Sequence, residues 1–178
     1  MRPALALLAF GCLAVLVEGG LAQLLPHWVV PDLSLLLTVA AASSLEPGLG
    51  LVVAAGIGLG ADMVAGPLLG QFAFLRLLEF TLARLVAAQL DLRRGLPLIV
   101  FVLAVIGVDG FAQVGLSRLF LGSFPLEPVE LLGLAASALV TAPLAPWAAA
   151  LASRLRERLE ESDARRDMRL ETRRPVLR

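Results

Sequence analysis

Residues 48–70 read GLGLVVAAGIGLGADMVAGPLLG, an apolar run with seven glycines and a single charged residue, Asp62. A run of this length and composition is typical of a helix that crosses the roughly 30 Å hydrocarbon core of a bilayer. Small residues along such a helix allow neighbouring helix backbones to approach closely. The stretch therefore predicts a membrane-spanning helix that packs among others and ends before a turn at Gly66-Pro67.

The whole chain has this apolar character. It is 58% hydrophobic before its 16 glycines are counted, whereas soluble domains are roughly 45–50% apolar with glycine included. The formal net charge is zero, so no basic excess points to nucleic acid as a partner. One Cys (Cys12) and one His (His27) cannot form a disulfide framework, a Cys/His metal cluster or a Cys–His nucleophile. We expect no catalytic residue, no cofactor and no metal, and hence no enzyme.

Turn-forming residues and charge clusters divide residues 1–152 into six predicted spans. The predicted fold class is an all-α polytopic membrane protein with six transmembrane helices. Residues 153–178 form an Arg-rich cytoplasmic tail with nine of the fifteen Arg. We interpret the tail as a solvated helix with i,i+3 and i,i+4 ion pairs; a dock for anionic lipid or a cytoplasmic partner is the alternative. The spans lie near 4–25, 29–45, 49–65, 70–90, 96–121 and 129–152.

The N-terminal segment has two interpretations. Arg2, the apolar run after it and the triplet Gly20-Leu21-Ala22 also fit a cleavable signal peptide. However, the segment continues apolar on both sides of Glu18 and leads directly into further spans. Its length therefore favours an uncleaved first helix.

Ionisable residues within the spans are functional candidates, because a charge in lipid is costly unless it is paired or wetted. Arg76 and Glu79 share a helix face at i,i+3, and Glu79 and Asp109 fall near mid-depth. We predict a buried network of Arg76, Glu79 and Asp109, with Asp62 or Glu18 reaching the same Arg from the outer side. Asp62 is also a candidate contact for a periplasmic partner. The network either locks helix packing or serves transport or proton relay; a relay needs a continuous polar path, and the isolated charges favour packing.

Glycines around Asp62 are predicted to mediate helix packing. Gly56 and Gly60 form a small-xxx-small face, and Gly66 and Gly70 flank the turn that follows. The Gly-x-Gly-x-Gly pattern of residues 56–60 does not predict a nucleotide site, because no strand precedes it and no Lys–Ser/Thr pair follows.

Two segments resemble a known family. One is the Pro-led start of the second span, Pro31-Asp32-Leu33-Ser34-Leu35-Leu36-Leu37, and the other runs through Gly60-Ala61-Asp62, Gly66 and Leu69-Gly70. With them the chain resembles the MreD family of bacterial rod-shape-determining proteins over residues 5–150, most closely over 29–75. The family pattern has no recognised catalytic residue, so none is carried over. The Arg-rich tail departs from the commoner members.

The resemblance implies a non-catalytic component of the cell-elongation machinery in the bacterial inner membrane, supporting rod shape and lateral peptidoglycan synthesis. The implied partners are an MreC-like periplasmic scaffold protein, a RodA-type glycosyltransferase with its transpeptidase, and MreB filaments. The family is similar in fold to the substrate-binding subunits of energy-coupling-factor transporters, so a vitamin-type transporter subunit is the alternative. Such subunits usually carry Ala-x-x-x-Ala in the first span, and residues 4–25 contain none. A small transporter that uses Glu79 and Asp109 is a third possibility.

The distribution of Arg predicts the orientation in the membrane. With a cytoplasmic N-terminus, the inside segments carry twelve Arg, and the outside loops 26–31, 66–69 and 122–128 carry none. This asymmetry satisfies the positive-inside rule with both termini in the cytoplasm.

Reporter fusions test this topology directly. Fusions at residues 2, 94 and 178 should report the cytoplasm, and fusions near 28, 67 and 124 should report the periplasm, because only this arrangement keeps every loop Arg inside. One fusion on the opposite side of the membrane, with the chain intact, would refute the six-span topology.

Overall fold

The computed structural model describes residues 2–26, 29–65, 69–89, 95–121 and 128–172, and each regular element in these ranges is helical. Gly66, Arg93, Arg94 and residues 173–178 lie outside the described residues, and so do most of the predicted outer loops. The elements are α1 (Arg2–Leu24), α2 (Leu33–Ser44), α3 (Pro47–Ala65), α4 (Gln71–Ala87), α5 (Leu96–Leu121), α6 (Pro128–Thr141), a 3₁₀ turn (Ala142–Leu144) and α7 (Ala145–Thr172).

Within the described residues, four helical stretches are long and apolar enough to cross a membrane, which gives the chain the character of a helical membrane protein. The all-helical fold expected from the sequence is confirmed for the described residues. The number of spans and the orientation of the termini stay predictions. The four stretches are Arg2–Leu24, Pro47–Val64, Leu96–Phe120 and Leu132–Leu159.

The predicted last span, 129–152, is not one uninterrupted α-helix. It is broken at the 3₁₀ turn, which contains Pro143, and a new helix begins at Ala145. Proline has no backbone N–H and its ring clashes with the preceding turn, so it interrupts an α-helix. α7 then continues to Thr172, well beyond the end of the predicted span.

α2 occupies the centre of the bundle. Its twelve residues span about 18 Å at 1.5 Å per residue, so it is too short to cross the hydrocarbon core alone. Ten of the twelve are buried, because α1, α3, α4 and α7 all pack against this helix. The predicted second span, 29–45, is thus a short helix with both ends inside the protein.

α3 and α4 make a close backbone contact at Gly58. A Cβ at Gly58 would lie 2.7 Å from both the backbone N of Ala73 and the carbonyl O of Phe72. Gly50, two turns earlier on the same face, lies against the ring of Phe80. The small-residue face that meets α4 therefore runs through Gly50 and Gly58.

Three of the four predicted packing glycines lie in the described residues, and their environments differ. Gly56 faces Leu8 of α1 in close contact, as a packing glycine should. A Cβ at Gly60 would meet no described atom within 4 Å, so the expected Gly56–Gly60 face makes its close contact at one end only. Gly70 has a left-handed φ of 94° at the start of α4, which explains a glycine there better than packing does.

Gly58→Ala should therefore destabilise the bundle, whereas Gly60→Ala on the same helix should not. The added methyl group at Gly58 collides with backbone atoms that cannot rotate away, and overpacking of this kind costs about 1–3 kcal/mol. Thermal unfolding of the two variants in the same detergent measures the difference. Equal loss in both variants would contradict the α3–α4 contact described here.

Candidate functional site

Arg76 is the centre of a charge cluster formed by Glu18, Asp32, Arg76, Glu79 and Asp109. It is only 2% exposed. Nη1 donates to both carboxylate oxygens of Glu79 at 2.8 and 2.6 Å, and Nη2 donates to both oxygens of Asp32 at 3.0 and 2.7 Å. Hydrogen bonds between a charged donor and a charged acceptor are among the stronger polar contacts in proteins. Arg76 therefore connects α4 to the start of α2.

Asp32 is the N-cap of α2. Its Oδ1 accepts the backbone N–H of Leu35 at 2.7 Å and the hydroxyl of Ser34 at 2.9 Å. Its own backbone N–H donates to Oγ1 of Thr141 at the end of α6, at 3.1 Å. An acidic N-cap satisfies an N–H that has no partner within the helix, and here the same carboxylate also binds Arg76.

Glu18 of α1 supplies a second acid at the N-terminus of α2. Its Oε1 accepts the backbone N–H of Ser34 at 2.7 Å. The N–H groups of Leu33 and Leu36 bond to the carbonyls of Pro31 and Asp32. All four N–H groups of the first turn of α2 are therefore satisfied, and two carboxylates lie at the positive end of the helix dipole.

Arginine side chains donate hydrogen bonds to the free backbone carbonyls at the C-terminus of α2. Nη1 of Arg84, on α4, donates to the carbonyls of Ala42 and Leu45 at 2.8 and 2.7 Å. Nη1 of Arg156, on α7, donates to the carbonyl of Ser44 at 3.0 Å. Cations at this end of a helix are favoured by its dipole, so these contacts join α4 and α7 to the end of α2.

Asp109 of α5 lies at the edge of the cluster. Its Oδ2 accepts a hydrogen bond from the side-chain amide of Gln113 at 2.6 Å. Asp109 is 6% exposed, yet its Oδ1 has no hydrogen-bond partner among the described residues. Asp109 therefore has one buried oxygen without a donor among the described residues.

Asp62 lies apart from the cluster and caps α4. Its carboxylate oxygens accept the backbone N–H groups of Gly70, Phe72 and Ala73 at 2.9, 2.8 and 3.2 Å. Gly70, the N-cap of α4, offers no side chain for this purpose. Asp62 is 5% exposed, so its described contacts are with α4 and not with Arg76.

The structure brings together three of the four predicted network residues: Arg76, Glu79 and Asp109. The main partner that sequence reasoning missed is Asp32, which lies inside the predicted second span. A local signal for it exists, because an Asp directly before an apolar run and after Pro31 is a typical N-cap. The position of that N-cap inside the bundle follows only from the shortness of α2.

The described residues include one small internal cavity, which lies outside the charge cluster. Among them, no three His, Cys, Asp or Glu side chains converge as a metal site. One cavity, between α2, α5 and α7, has room for about 10 Å³ and is lined mainly by apolar residues such as Val39, Leu98 and Ala149. Such a volume holds about one water molecule.

No family model, curated protein or solved structure matches this chain. Its function is therefore inferred from the charge cluster, from the helix-end contacts and from the segments 31–37 and 60–70. These two segments supply Asp32 and Asp62, the two acids that cap α2 and α4.

Arg76→Ala should strongly reduce the amount of folded protein. It leaves buried carboxylates without their cation, and an unpaired buried charge costs about 3–5 kcal/mol. Replacing the set together, with leucine at positions 76, 79 and 109 and with Asp32→Asn, should restore much of the folded protein. Asparagine retains the oxygen that caps α2 but removes the charge.

Size-exclusion chromatography in mild detergent, with total expression as the reference, measures the folded fraction of both variants. A combined variant that folds as poorly as Arg76→Ala would show that the charges are required for more than their mutual pairing.

Proposed function

We propose that this chain is a non-catalytic component of the bacterial cell-elongation complex that binds an MreC-like scaffold protein in the inner membrane. In this role it supports rod shape and lateral peptidoglycan synthesis beside a RodA-type glycosyltransferase with its transpeptidase and MreB filaments. Both termini lie in the cytoplasm, and the loops after α1, α3 and α5 face the periplasm, where the scaffold protein lies.

The proposal rests on the contacts of Asp32 and Asp62, the acids in the two segments that resemble the MreD family. Asp32 accepts hydrogen bonds from Leu35, Ser34 and Arg76, and Asp62 accepts three backbone N–H groups of α4. Both acids are occupied in fixing helix ends. Polar groups used in this way stabilise the protein's own fold, which favours a protein that acts through its surface over one that binds a substrate at these residues.

The alternative, a vitamin-type transporter subunit, needs a ligand pocket of roughly 300–1,000 Å³. The cavity between α2, α5 and α7 is far smaller. The buried acids at the outer end of the bundle are also engaged with Arg76 and with backbone groups. The engagement of these acids favours a partner protein over a vitamin.

Depletion of the protein in a rod-shaped host tests the proposal. The cells should become round and wide, and the MreC-like scaffold should no longer co-purify with the elongation complex from mild detergent. Re-expression of the unsubstituted chain or of Gly60→Ala should restore rod shape, whereas Gly58→Ala, which disturbs the α3–α4 contact, should restore it less well at equal expression.

Two results would overturn the proposal. Depleted cells that keep their shape but lose uptake of a vitamin would favour the transporter subunit. Depleted cells that round up while the scaffold remains fully associated would separate this chain from scaffold binding.

A further inference from the structure

Where α7 leaves the bundle, two of its arginines lie on the face opposite the packed one. The packed side carries Ala152, which is fully buried, and Arg156, whose Nη1 donates to the carbonyl of Ser44. Because an α-helix turns by about 100° per residue, Arg154 and Arg158 each lie about 160° round α7 from Arg156. Both are exposed, so they lie on the side of α7 that is turned away from α2.

This outer face of α7 extends in both directions from the two arginines. Toward the start of the helix it carries Trp147, which is 69% exposed and lies about two turns before Arg154. Toward the end, arginines at positions 165 and 169 repeat the spacing of Arg154 and Arg158. These four arginine positions fall within an arc of about 60°, and none of the acids of α7 falls within it. We call the four positions the arginine face.

The arginine face begins at the polar end of the bundle. Arg154 and Arg158 lie within about 3 Å of Arg156 along the helix axis, and Arg156 contacts Ser44, the last residue of α2. The apolar stretch Leu132–Leu159 ends directly after Arg158. Long cationic side chains at the end of a membrane span extend toward the lipid headgroups. We therefore expect both guanidinium groups at the depth of the lipid phosphates.

The two arginines have no carboxylate partner among the described residues. Glu157, the acid next to them in the sequence, lies about 60° round the helix from Arg154 and about 100° from Arg158. A guanidinium group binds phosphate oxygens through two parallel N–H groups. An anionic leaflet attracts each arginine close to its surface. The chemistry of this face thus complements lipid phosphates.

We propose that the arginine face of α7 binds the phosphate groups of anionic phospholipids in the leaflet at this end of the bundle. Arg154 and Arg158 bind the headgroups nearest the bundle, and positions 165 and 169 extend the same face along α7. A lipid fits this face better than an acidic protein does, because the face is continuous with the exposed apolar surface at Trp147. This lipid contact is independent of scaffold binding.

Fluorescence of Trp147 in lipid nanodiscs tests the proposal on the full-length chain. Trp147 lies about 10 Å along α7 from Arg154, so its ring reports on the acyl chains of lipids whose headgroups contact that arginine. Trp28, the only other tryptophan, is replaced by phenylalanine in every chain. The nanodiscs contain equal amounts of phosphatidylglycerol and phosphatidylcholine, and the acyl chains of one or the other carry bromine, which quenches fluorescence. Brominated phosphatidylglycerol should quench Trp147 more strongly than brominated phosphatidylcholine.

Variants of the arginine face should change this difference in quenching. Arg154→Gln combined with Arg158→Gln should abolish it, and this variant should fold normally because both side chains are exposed. The matched pair Arg154→Lys with Arg158→Lys should retain a preference, because it keeps both charges. Glu157→Gln should retain it in full, because it removes no cation. Raising the salt concentration should reduce the difference in the chain with Trp28→Phe alone, since salt screens charges near the surface.

Three results would each overturn the proposal: equal quenching by the two brominated lipids, a difference that high salt leaves unchanged, or a difference that persists in the double glutamine variant. An acidic protein that co-purifies through Arg154 and Arg158, while the lipids show no preference, would assign the arginine face to a protein partner instead.

Discussion

Burial of a short helix among other helices is the constraint on which the rest of this bundle depends. α2 has only twelve residues, and both of its ends lie among other helices. An unsatisfied backbone group in such a place costs roughly 1–3 kcal/mol. Glu18 from α1, Arg84 from α4 and Arg156 from α7 supply the missing partners. Acids at the N-terminus and arginines at the C-terminus also match the helix dipole, so polar contacts fix three helices around α2.

The charge cluster depends in turn on the position of α4. Asp62 holds the first turn of α4, and Gly58 holds its backbone against α3. A shift of α4 by one turn would move it about 5.4 Å along its axis. Such a shift would break the contact of Arg76 with Asp32 at the start of α2, whereas Glu79 lies on α4 and would move together with Arg76. The glycine-rich face of α3 therefore determines where the arginine lies, although it contains no charge that touches Arg76.

Local patterns in the sequence were sufficient to predict the helical fold and the pairing of Arg76 with Glu79, which share a helix face at i,i+3. Partners far apart in the chain carry no such local signal. Arg76 and Asp32 are 44 residues apart, and Arg156 and Ser44 are 112 residues apart. Glycine content likewise predicted close packing of α3 but not which glycines face α4. Only the packed structure distinguishes Gly58 from Gly60.

The use of arginine as the sole cationic residue in this chain, which contains no Lys, has a physical basis inside the bundle. Arg76 and Arg84 each donate hydrogen bonds to two separate groups, which a compact ammonium group would contact less well. Arg76 binds two carboxylates through a planar fork, and Arg84 reaches two carbonyls with one nitrogen. A lysine ammonium is more strongly hydrated and has no fixed fork geometry. Lysine at position 76 would therefore keep the charge but lose one of the two bidentate contacts, and with it the connection between α4 and the start of α2.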